Sequence, residues 1–155
     1  MIVIGPPLTV LKPSGAFYLN VPQADLVHNT ETAVLFDQTI TGFTDGIEDE
    51  ENHWIKPEVA GLYHIVGLIT FYDVVAAKLF HATINKNAAA YSTFYSYSGS
   101  ALFGGEELLS IPISNYLWLN KTDYVKVSAR QYSGVDTVGI VPDLENTYLQ
   151  CIRQR

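Results

Sequence analysis

Gly61-Leu62-Tyr63-His64-Ile65-Val66-Gly67-Leu68-Ile69-Thr70-Phe71 is the stretch that decides the fold. It has no proline and is rich in β-branched and aromatic residues, which predicts a strand. One face carries Leu62, His64, Val66, Leu68 and Thr70, and the other Tyr63, Ile65, Gly67, Ile69 and Phe71. Both faces are mostly apolar. An antiparallel sheet that meets water on one side alternates apolar and polar residues, so a strand apolar on both sides predicts burial on both. The chain's own core covers one face. The other is expected to pack against identical subunits. Tyr116-Leu117-Trp118-Leu119 and Tyr148-Leu149-Gln150-Cys151-Ile152 share the pattern, and the three stretches are expected in one sheet.

Strand signals recur on either side, at residues 16–21, 32–37, 54–57, 62–72, 78–85, 91–97, 108–112, 116–120, 124–131 and 147–152, separated by turn formers such as Asp45-Gly46, Gly104-Gly105 and Ser133-Gly134. The longest helix-like run, Val74–Phe80, is too short and is flanked by strand formers. About ten short strands in 155 residues read as one all-β domain, an antiparallel sandwich or barrel with little or no helix. Four of the seven prolines lie before residue 23, so residues 1–22 are expected to form an extended arm and edge strands ahead of a domain over 23–155.

Composition narrows the function. The apolar set makes up 48% and charged residues 16%, so the surface is short of charge and some of it is expected to meet another subunit. Between Pro13 and Ile55 there are eight acids and no Lys or Arg, and that segment accounts for the whole net charge of −7. Without clustered bases, nucleic acid is excluded as a partner. Met1–Pro7 lacks a basic region and a long apolar run, so neither a membrane partner nor Sec export is expected. A lone Cys151 supports neither a disulfide nor a zinc framework and reads as a small buried hydrophobe.

The motifs, in order, resemble the C1q/TNF-like jelly-roll domain. Val34-Leu35-Phe36-Asp37 matches a V-x-F-D strand, and Trp54-Ile55-Lys56-Pro57 an aromatic-x-x-P opening that leads into Gly61-Leu62-Tyr63. Ile84-Asn85-Lys86-Asn87 resembles the I-x-K-N-G hairpin, with Ala88 in place of its glycine. Leu119–Val127 resembles the L-x-x-G-D-x-V-x-V hairpin, with Thr122 before Asp123, and Tyr148–Ile152 the closing strand. Within that family the chain is most similar to the C1q-like heads of bacteriophage virion proteins. The resemblance implies a homotrimer whose three-fold contacts include Tyr63, Ile65, Ile69, Phe71 and Tyr148, and Leu117 and Leu119 join them from the third apolar stretch.

Other features are weighed on their chemistry. The acidic run Asp45–Glu51 could hold calcium but lacks EF-hand spacing, so a solvated loop is expected and no metal site is assigned. Tyr91, Tyr95 and Tyr97, interleaved with hydroxyls, suit a glycan or receptor surface as well as an ordinary strand. The four histidines share no ligand spacing, and His64 is expected to be a core or interface residue. No G-x-S-x-G, H-E-x-x-H, Walker A or G-x-G-x-x-G occurs, so no catalytic residue, cofactor or enzyme activity is expected. The expected function is that of a homotrimeric capsid decoration protein made in the host cytoplasm and placed on the virion. Its partner is the major capsid protein, contacted through an apolar arm with Ile2, Val3, Ile4, Leu8, Val10 and Leu11. The alternative is a fibre tip that binds a host receptor or glycan.

Overall fold

The computed structural model describes residues 14–40, 48–49, 53–97 and 108–154. Among these residues there are twelve strands and no helix: β1 (Ser14–Tyr18), β2 (Thr32–Ala33), β3 (Gln38–Thr39), β4 (Glu48–Asp49), β5 (Trp54–Ile55), β6 (Gly61–Tyr72), β7 (Leu79–Lys86), β8 (Ala89–Tyr97), β9 (Leu109–Leu119), β10 (Val125–Gln131), β11 (Gly139–Ile140) and β12 (Tyr148–Arg153). They form two antiparallel six-stranded sheets, and the fold is the expected jelly-roll sandwich. In the first sheet β6 is flanked by β9 on one side and by β12 and β11 on the other, with β1 and β3 beyond β12. In the second, β10 pairs with β7, β7 with β8, and the short β2 and β5 complete the far side of β10. Asn115 of β9 donates to Ser92 of β8, tying the two sheets together along one side.

The core lies between the sheets. Tyr63, Ile65, Ile69 and Phe71 of β6 and Ile111, Ile113, Leu117 and Leu119 of β9 face Phe80 and Ile84 of β7 and Val125 and Val127 of β10, all essentially unexposed. Phe71 and Phe80 bridge the layers with ring centroids 5.1 Å apart. Cys151 is buried in this core.

Three expectations change. Residues 14–22 belong to the sandwich and not to an arm: β1 lies between β12 and β3, and Ala16, Phe17 and Leu19 are buried, while residues 1–13 lie outside the described residues. Pro13 and Pro22 flank the strand instead of interrupting it. Residues 108–112 and 116–120 are not two strands but one, with Pro112 in the middle of β9. Proline is tolerated there because, among the described residues, β9 pairs with β6 alone and its other side needs no ladder donor. Finally, the two faces of β6 are exchanged, as the next subsection describes.

Candidate functional site

Register fixes what the outer face of the first sheet displays. His64 lies between Tyr116 of β9 and Ile152 of β12, Leu62 is opposite Trp118, Val66 lies between Ser114 and Gln150, and Leu68 between Pro112 and Tyr148. Directly paired residues of an antiparallel ladder share a face, so these eleven residues form one surface. None of them is charged, in a chain that is 16% charged overall. Trp118 is 57% and Tyr116 53% exposed, whereas Leu62, Val66, Leu68, Tyr148 and Ile152 are half-buried. The His64 ring stacks on Tyr116 with centroids 4.4 Å apart and planes 13° from parallel, and its Nε2 is 2.9 Å from Ser114 Oγ. His64 is therefore a fixed part of this surface and not a core residue.

One end of the face is closed by the loop before β12. Thr70 points the same way as His64 yet is fully buried, because its hydroxyl donates to the Asn146 carbonyl at 2.6 Å and meets Ser110 Oγ at 2.9 Å. Asp143 holds that loop in shape by accepting from the backbone N–H groups of Glu145 and Asn146. The open apolar area thus runs from Leu62 to Leu68.

Of the seven residues expected at subunit contacts, Tyr63, Ile65, Ile69, Phe71, Leu117 and Leu119 are 0% exposed within a single chain and form its own core. They have no surface left to offer a second subunit. Tyr63 is inside because its ring fills the core while its hydroxyl reaches the Val59 carbonyl at 2.6 Å, satisfying its one polar group. Burial first, and then the neighbouring Cys151, push its phenol above the ordinary range. Only Tyr148 lies on the outer face. The residues missed are Leu62, Val66, Leu68, Tyr116, Trp118 and Ile152, while His64, expected in the core or at an interface, stands on this face. Ser110, Pro112 and Ser114 mark the outward side of β9, a signal in the sequence that could have identified the face.

The outer face of the second sheet is different in kind. Lys126, Ser128 and Arg130 of β10 align with Asn85, Thr83 and His81 of β7, and Thr93 and Tyr95 of β8 continue the last two rows. Arg130 pairs with Glu31 at 3.4 Å and donates to Tyr132 Oη at 3.2 Å. His81 sits between Tyr95 and Tyr132, with ring centroids 4.4 and 4.9 Å away. Burial, and then the Arg130 charge, lower its pKa and favour the neutral imidazole. Of the three tyrosines singled out from sequence, Tyr95 is 62% and Tyr91 51% exposed, and the Tyr97 side chain lies outside the described residues.

The apolar arm positions Ile2, Val3, Ile4, Leu8, Val10 and Leu11 lie outside the described residues. So does the acidic run 45–51, apart from the backbone of β4. Among the described residues no group of three His, Cys, Asp or Glu side chains is placed to hold a metal ion.

No protein-family model and no curated protein matches the sequence. Solved structures do match the fold. Eiger TNF from S. frugiperda superposes with a TM-score of 0.71 at 11% identity over 94% of both chains. The globular domain of zebrafish complement 1qA gives 0.60 at 12% identity over 93% of this chain and 98% of that one. Murine APRIL gives 0.66 at 10% identity over 91% and 99%. At such identities the likeness is one of architecture, and the chain has the jelly-roll fold seen in TNF and complement C1q globular domains.

Proposed function

We propose that the chain is a non-enzymatic structural protein that assembles as a homotrimer through the outer face of the β9-β6-β12 sheet, and that the trimer serves as a capsid decoration protein on a bacteriophage virion. The observation that carries the self-association is the charge-free surface from Leu62 to Leu68, with Trp118 and Tyr116 more than half exposed. Soluble monomers rarely leave so continuous an apolar surface in water. The charged outer face of the opposite sheet is fit for solvent, so the asymmetry selects the side that is covered. The likeness to TNF and C1q globular domains supports three copies, and the motif resemblance to C1q-like phage heads supports the virion. The capsid-surface location and the major capsid protein as partner are inferred from that resemblance and from the apolar stretch Met1–Leu11.

Sedimentation equilibrium tests the first step. The wild-type chain is expected at about 52 kDa, three times its 17.2 kDa, and Trp118→Glu at the mass of one chain. A wild-type monomer at micromolar concentration refutes the assembly. Deleting residues 1–12 is expected to leave the mass unchanged and abolish co-sedimentation with purified phage heads. Heads that retain the truncated protein overturn the arm's role.

A further inference from the structure

The second sheet carries a built polar hollow on the side away from the proposed subunit contacts. Tyr95, His81, Tyr132, Arg130, Glu31 and Thr83 line a groove of about 300 Å³. That is at the small end of the range of about 300–1,000 Å³ for small-molecule sites. Its components are held in place. The Tyr95 ring meets the His81 ring edge-on at 74°, and Tyr132 packs on the other side of the same imidazole. Thr83 and Thr93 hydroxyls join at 3.2 Å, and Ser128 donates to Glu31. A rigid site loses little entropy on binding.

We propose that this groove binds one ring of a neutral hexopyranose sugar. The chemistry selects that class in three ways. The exposed Tyr95 ring offers an apolar face on which the C–H side of a pyranose can stack. Beside it, Arg130 supplies N–H donors and Glu31 supplies acceptors, and vicinal sugar hydroxyls need both at once. The charges of Arg130 and Glu31 offset each other, so an acidic ligand gains at the guanidinium and is repelled at the carboxylate. A second hollow of about 290 Å³ shares Glu31 and continues toward Asn85, Lys126 and Ser128, which leaves room for the rest of an oligosaccharide. His81 lines the groove and, through its ring contacts with both tyrosines, fixes where Tyr95 and Tyr132 stand. This site is independent of the trimer reading, because the two outer faces lie on opposite sides of the sandwich.

Saturation-transfer NMR and calorimetry with methyl α-glucoside, methyl α-mannoside and methyl β-galactoside test the assignment on the full chain. At least one glycoside is expected to receive saturation at its ring C–H protons. Tyr95→Ala and Arg130→Gln are each expected to weaken that ligand about tenfold or more, with unchanged circular dichroism. Trp118→Glu, on the other face, is expected to leave sugar affinity intact whatever it does to the assembly. No transfer to any of the three glycosides, binding unaltered in both groove variants, or binding confined to acidic sugars would overturn the proposal.

Discussion

Asp123 shows how two separate turns become one structure. Its carboxylate accepts from the Asn120 backbone N–H at 2.8 Å and from Asn87 Nδ2 at 3.1 Å, and pairs with Lys86 at 3.1 Å. Lys86 in turn donates to the Trp118 carbonyl at 2.8 Å. The backbone bond from Asn120 is the main reason its pKa falls from 3.8 to about 2, with Asn87 and Lys86 adding to it against the opposing effect of burial. The folded-state value lies below the unfolded one, so deprotonation favours folding. The stabilisation, about 2 kcal/mol, is complete above about pH 4 and disappears as pH falls toward 2. Asp123→Asn is expected to lower urea-unfolding stability by about 1–2 kcal/mol at pH 7 and by almost nothing near pH 2. A difference that stays constant across that range refutes the assignment. Both turns were legible as Asn85-Lys86-Asn87 and Asn120–Asp123. Their union was not, because 36 residues separate Asn87 from Asp123 and only the strand pairing brings them together. The departure at Ala88 has a local answer: Asn87 takes the left-handed conformation, φ 56°, that asparagine tolerates better than most residues.

At the scale of elements, β6 was read correctly as a strand apolar on both faces and incorrectly as to which face is inside. Tyr63, Ile65, Ile69 and Phe71 are the bulkier set, and two packed sheets take the bulkier set to fill the space between them. Reading β9 as one strand through Pro112 would have placed Ser110 and Ser114 on its outer side, and through the pairing Val66 on the same side. Breaking it at the proline hid that alternation. The grouping of β6, β9 and β12 in one sheet was legible because all three share the doubly apolar pattern. The pairs β2, β3, β4 and β11 are two residues long and too short to show any period. Two glycines test how tightly the sheet is built. A side chain on Gly67 would run into the Tyr148 backbone carbonyl of β12, and one on Gly139 into the Tyr72 ring. A ring can swing toward solvent, but a paired strand cannot move without breaking its ladder. Gly67→Ala is therefore expected to destabilise by about 1–3 kcal/mol or more, and Gly139→Ala by less, in denaturant titrations under the same conditions. The reverse order would show that β12 yields more readily than the ladder implies.

Considered whole, the molecule divides its surface by charge, and this has a consequence for assembly that separates it from an ion-paired oligomer. Each chain carries a net −7, while the proposed contact face contributes no charge at all. Bringing three chains together then adds long-range repulsion between bodies of like sign and gains nothing from interfacial salt bridges. Screening lengths shorten from about 14 Å at 0.05 M salt to about 4 Å at 0.5 M, which weakens the repulsion and leaves apolar burial untouched. Association is therefore expected to hold or tighten as NaCl rises over that range, and the apparent trimerisation constant from sedimentation should increase. Lowering the pH toward the sequence pI of about 4.9 should act in the same direction. Dissociation by salt at constant pH would mean that charged groups outside the β9-β6-β12 face hold the copies together, and the proposed contact would have to be moved to the sheet that carries Arg130 and Glu31.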